Sequence, residues 1–125
     1  MALRKDLDGL RVQLPGNPAV YLVDAGRKRH IPDPATYNNL FRDWNGILQD
    51  IAINEIDTGT PISVGAVLAQ GFGDPAVYLI DNGIKRHIGS PATMDRYNFA
   101  WDKIQHVAPI LISSIETGPA IVWPE

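Results

Sequence analysis

The chain has 125 residues, 45% hydrophobic and 20% charged, with a formal net charge of −3. That is the balance of one folded domain or two very small ones. It argues against disorder and against the basic footprint of a dedicated nucleic-acid binder. The absence of cysteine excludes disulfides, thiolate metal sites and cysteine nucleophiles. No run approaches the roughly 18 consecutive apolar residues of a membrane helix, and Met1–Asp6 has no signal-peptide core.

In chain order, Leu10–Leu14 is apolar and reads as a first strand. Ala19–Asp24 is rich in Val, Leu and Tyr on both faces, which predicts a strand buried on both sides. Asp24-Ala25-Gly26 then reads as a hairpin turn. Ala25 suits a positive φ poorly, so a type I turn followed by a left-handed Gly26 is expected. Arg27–Ile31 is the return strand. Asp33 is placed to cap a helix whose first position is Pro34, and the helix should end near Phe41. Trp44 follows, then a predicted strand over Ile47–Ile53 and a turn closed by Gly59.

The same series then recurs. Gly16–Thr36 matches Gly73–Thr93 at an offset of 57, with 15 of 21 positions identical. Trp44 aligns with Trp101 and Ile47 with Ile104. Beyond them the offset becomes 59, pairing Ile56–Gly59 with Ile115–Gly118, so the second copy has gained two residues near Val107–Ser113. Its predicted elements are strands at Val64–Gln70, Ala76–Asp81, Ile84–Ile88 and Ile104–Ile112, with a Ser90-capped helix between Pro91 and Phe99. The expected fold is α+β and mainly β. Two tandem β-hairpin–helix–strand repeats, residues 8–62 and 64–121, should form one compact pseudo-two-fold domain. The tail Ile121–Glu125 matches the start of a further strand and should close the structure, with Trp123 as a plug or an interface residue.

The segment Tyr-Leu-Val/Ile-Asp-x-Gly-x-Lys-Arg-His-Ile, followed by Pro-Ala-Thr, Trp and Thr-Gly, resembles a tandem repeat of many bacterial proteins. The likeness runs from about Leu10 to Ile121. Such repeats often sit beside hydrolase or other surface-acting domains. The resemblance therefore implies a non-catalytic binding or attachment unit, compatible with cell-surface or extracellular action.

No spacing of His, Asp or Glu suggests a metal site or a catalytic constellation, so no cofactor and no enzyme activity are expected. The distinctive polar feature is the repeated triplet Lys28-Arg29-His30 and Lys85-Arg86-His87. Strand alternation puts Lys and His on one face and Arg on the other. One reading has Arg29 and Arg86 paired with Asp24 and Asp81, the lysines solvated at an edge, and the histidines bonded to backbone. The other makes Lys28, Arg29, His30, Lys85, Arg86 and His87 two sites for glycan or anionic surface ligands, with Arg as a bidentate fork. Trp44 and Trp101 either pack the helix on the sheet or offer a platform to a sugar ring.

The function expected is a non-catalytic, lectin-like module with two related sites, since paired sites gain avidity for a repeated ligand. The alternative is a structural module that binds protein, including its own copies as a homo-oligomer. Neither nucleic acid nor membrane insertion is expected.

Overall fold

A computed structural model describes residues 2–124. The fold is mixed and mainly β, with nine strands in two sheets and three short helices among the described residues. The first sheet contains β1 (Arg11–Gln13), β2 (Val20–Asp24), β3 (Arg27–His30) and β4 (Leu48–Gln49), in the order β3-β2-β1-β4. The second contains β5 (Val67–Gly71), β6 (Val77–Asp81), β7 (Ile84–His87), β8 (Gln105–Val107) and β9 (Glu116–Thr117), in the order β8-β5-β6-β7-β9. In each sheet three antiparallel strands form a meander, and a short parallel strand lies beside the first of them. A parallel β9 adds to β7, while Thr58 makes a single parallel bridge to Lys28.

Helices α1 (Pro34–Leu40) and α2 (Pro91–Arg96) begin as their sequences predict. The Asp33 carboxylate accepts from the Thr36 N–H at 2.7 Å, and Ser90 Oγ accepts from the Thr93 N–H at 3.1 Å. Each proline occupies a first-turn position that has no intrahelical acceptor for an N–H. Thr36 and Thr93 are buried, and each hydroxyl accepts a backbone N–H of the segment that follows: Gly65 at 3.0 Å and Trp123 at 3.0 Å.

The first correction to the sequence expectations concerns the hairpin turns. The hairpin loops hold two residues each, because Asp24 pairs with Arg27 and Asp81 with Ile84. Both loop residues have positive φ: Ala25 at 51° and Gly26 at 78°, Asn82 at 54° and Gly83 at 76°. That is a type I′ turn rather than a type I turn with a bulge. The right-handed twist of the flanking strands selects the primed turn over the preference of a single alanine.

The second correction concerns the stretches predicted as last strands. Only Leu48–Gln49 and Gln105–Val107 are extended. Asp50 then accepts from the Ala52 N–H at 2.8 Å and starts a 3-10 turn over Ile51–Glu55. In the second copy Pro109 starts α3 (Pro109–Ser113). Side-chain capping and a first-turn proline outweigh the strand preference of the isoleucines.

The glycines of the two turns sit in unlike surroundings. A Cβ on Gly26 would lie 3.1 to 3.2 Å from Lys5, Arg4 and Leu3, but one on Gly83 would meet nothing within 4 Å. Gly83→Ala should therefore cost about 1 kcal/mol, the left-handed penalty alone. Gly26→Ala should cost more. Urea titration of both variants checks this, and equal losses would contradict it.

The main core joins residues from both sheets and from helices α1 and α2. Val20, Leu22, Ile31, Tyr37, Leu40 and Phe41 belong to one cluster with Leu68, Leu79, Met94 and Phe99. Expectation and structure differ for β2 and β6: Tyr21, Tyr78 and Ile80 are only partly buried. The C-terminal tail closes on the same chain, with Ile121 bridged to Ile88 and Trp123 packed on the main cluster. The Arg96 guanidinium stacks over the Trp123 ring at 3.9 Å.

Candidate functional site

The Lys-Arg-His triplets are divided by strand alternation. Arg29 and Arg86 point inward, where they meet Asp24 and Asp81. Arg29 donates to Asp24 at 2.9 Å and also to Asp81, while its Nε donates to Thr60 O at 2.7 Å. Arg86 donates to both oxygens of Asp24, at 2.5 and 3.2 Å, and its Nε donates to Pro119 O at 2.8 Å. Asp81 also accepts from the Ser63 N–H at 2.8 Å. All four charged side chains are buried, and their formal charges cancel. Burial pushes the Asp24 carboxyl up, but Arg86 and Arg29 together outweigh it and hold the group below the usual carboxylate range. Every guanidinium nitrogen of both residues is engaged, so neither offers a fork to a ligand.

The lysines differ from the expected solvated edge charges. Lys28 is 6% exposed, and its ammonium donates to Ile56 O at 2.5 Å. Lys85 is half-buried and donates to Ile112 O at 2.9 Å. The histidines stay accessible: His30 is half-buried, His87 is exposed, and each ring tilts against the tyrosine of the neighbouring strand, at 5.5 and 5.7 Å.

His30 lies in a groove of about 370 Å³ walled by Pro18, Pro32, Pro34 and Tyr37, with Trp44 at its end. Trp44 is 46% exposed and its ring stacks on Tyr37 at 3.8 Å, 19° from parallel. Its indole N–H donates to Asn38 Oδ1 at 2.9 Å. One indole face is thus fixed and the other is left to solvent. Tyr37 is locked beneath it, accepting from Arg11 at 2.6 Å and donating to Asp43 O at 2.6 Å. Burial pushes the Tyr37 phenol up, and Arg11 opposes this only in part. Asp33 also lines the groove, and the Thr36 N–H holds its carboxyl below the usual range, so it is charged at neutral pH.

A second groove, of about 170 Å³, is lined by Pro75, Val77, His87, Gly89, Pro91 and Trp101, among others. At the offset of 57 these are the positions of Pro18, Val20, His30, Pro32, Pro34 and Trp44. Ser90 replaces Asp33, and Met94 replaces Tyr37. Trp101 is 49% exposed. Of the eight residues singled out from sequence, His30 with Trp44 and His87 with Trp101 come together at a groove; Arg29 and Arg86 line a different one with Asp24 and Asp81, and Lys85 another, so neither arginines nor lysines join the tryptophans. Pro18 and Pro75 were missed as wall residues, although their identity between the copies was the available signal.

No protein-family model, characterised protein or solved structure matches this chain. Among the described residues, no group of three or more His, Asp or Glu side chains is placed to hold a metal ion, and no helix is long and apolar enough to cross a membrane.

Proposed function

We propose that this chain is a non-catalytic binding module, a pseudo-two-fold pair of tandem repeats with one glycan groove in each. The observation that carries the reading is the recurrence of two wall prolines (Pro18 and Pro34, Pro75 and Pro91), an imidazole and a half-exposed indole at positions 57 residues apart. A core has no need to leave a tryptophan half in solvent twice. An indole face suits the apolar face of a sugar ring, and the imidazole beside it can exchange hydrogen bonds with hydroxyls. With Arg29 and Arg86 engaged inside, ligand recognition passes from an arginine fork to Trp44, His30, Trp101 and His87. The first groove is larger, has its indole backed by Tyr37, and carries Asp33; it should be the tighter site.

A glycan array followed by titration of intrinsic fluorescence tests this. The ligand retained should shift the tryptophan emission. Trp44→Ala should weaken binding by about ten-fold or more, the equivalent of roughly 1.4 kcal/mol. Trp101→Ala should have a smaller effect, and the double variant should show no saturable binding. An array without a retained glycan, or binding that survives the double variant, would overturn the reading.

A protein-binding role has an observation of its own. Phe72, Ile110 and Leu111 are exposed by 66%, 70% and 58%, all in the second half of the chain. A defined oligomer in light scattering, lost on Phe72→Ser with Ile110→Ser, would favour self-assembly instead.

A further inference from the structure

The outer faces of the two sheets are built differently. In the first, Val12, Val23, Ile53 and Ile56 form a buried cluster covered by Leu7, Leu10, Leu14 and Tyr21. At the offset of 57, Val12 becomes Ala69 and Leu14 becomes Gly71. Pro109 takes part of the freed space: its atoms lie 3.5 to 3.7 Å from where a Cβ on Gly71 would sit. What is left is a groove of about 430 Å³, lined by Tyr78, Lys85, Asp74, Pro109, Ile110 and Ile112, among others.

This groove changes the setting of the lysine. Lys28 is sealed beneath its cluster, but the equivalent Lys85 is half-buried at the groove wall, with its ammonium 5.6 Å from the centre of the Tyr78 ring. The ammonium has three N–H donors and spends one on Ile112 O. Among the described residues, the other two donors and the Tyr78 hydroxyl have no protein partner. Two donor groups stand beside an apolar floor. The other charged or titratable groups nearby are Asp74, whose Oδ1 accepts from the Ala76 N–H at 2.9 Å, and His87, whose ring lies 5.7 Å from Tyr78.

We propose that this groove in the second half binds a small organic monocarboxylate with an apolar body. The Lys85 ammonium and the Tyr78 hydroxyl would each bond one carboxylate oxygen, and Pro109, Ile110 and Ile112 would cover the hydrocarbon. A charge-assisted bond beside apolar surface is the strong kind. The Asp74 carboxylate in the groove lining repels a second negative charge, which selects monoanions over phosphate monoesters and dicarboxylates. This site is separate from the indole grooves and does not depend on their ligand.

The test is a titration of the full chain with hexanoate, followed by heteronuclear NMR, with hexanamide as the neutral match. Hexanoate should give saturable shifts at Lys85, Ile110 and Ile112, and hexanamide should bind about ten-fold more weakly or less. Lys85→Gln should weaken hexanoate by about ten-fold and Tyr78→Phe by several-fold. No saturable shift with hexanoate, or equal shifts with hexanamide, would overturn the proposal. So would a hexanoate affinity unchanged in Tyr78→Phe and Lys85→Gln. If Lys85→Gln does not fold, Tyr78→Phe and the amide comparison on the unaltered chain decide.

Discussion

Asp24→Asn is expected to destabilise the chain by about 3–5 kcal/mol, the cost of leaving a buried charge without its partner. Asp24 is the only carboxylate that Arg86 touches among the described residues, and it receives both of that residue's terminal nitrogens. Asp81→Asn should cost less, because Arg29 then keeps Asp24. The unequal sharing of two carboxylates between two guanidinium groups thus predicts an order of effects as well as a magnitude. It also predicts a pH dependence. The folded-state pKa of Asp24 lies below its ordinary value, since the two arginines outweigh burial. The stabilisation is then fully present above the unfolded-state pKa, about 3.9. It is lost as the pH falls through the lower folded value. Urea midpoints measured from pH 7 down to pH 3 check both statements. The Asn variant should be weaker at neutral pH and lose less on acidification. Equal acid slopes in both proteins would remove Asp24 from the account.

The same cluster illustrates what can be read from sequence. That Arg29 would find Asp24 is legible, because the triplet lies across a hairpin from that aspartate; Arg86 does not repeat this, since it bonds Asp24 of the other copy and leaves Asp81 to Arg29. That Arg29 bonds both aspartates, its own and that of the other copy, is not legible: it depends on how the two sheets face each other. Local elements were legible where one residue has one strong role, as with Asp33 and Ser90 ahead of a proline. They were misread where tertiary geometry overrides a preference, as at Ala25. The grooves were half legible. His30, His87, Trp44 and Trp101 stood out as repeated polar and aromatic residues, and each repeated pair lines a groove. Repetition also drew in Arg29, Arg86 and Lys28, because a core that recurs repeats its buried charges as faithfully as a site does. The groove beside Lys85 was legible only as a departure from repetition, at Ala69 and Gly71, where the second copy is smaller than the first.

Phe99→Ala is expected to cost about 3–5 kcal/mol and to weaken both sheets together. Phe99 is fully buried, with its ring centre 5.7 Å from that of Phe41 and 5.4 Å from that of Tyr97. Backbone bonds brace this contact on both sides: Arg42 N–H to Asn98 O at 3.0 Å, and Ala100 N–H to Leu40 O at 2.9 Å. Lys103 adds a bond to Phe41 O at 2.7 Å, and Arg42 one to Phe99 O at 2.8 Å. The segments that follow α1 and α2 are therefore held to each other, and each carries the tryptophan of one groove. Phe41, Tyr37 and Leu40 are all buried in the same cluster, so truncating Phe99 opens a cavity inside the core. Native-state hydrogen exchange tests the consequence. Amides of β2 and β6 should lose protection by the same free energy, and thermal unfolding should stay a single transition. Protection lost in β6 but kept in β2 would mean that the halves are stable separately. The two grooves would then be free to move apart, and a ligand spanning both would gain from a flexible link rather than from a rigid pair.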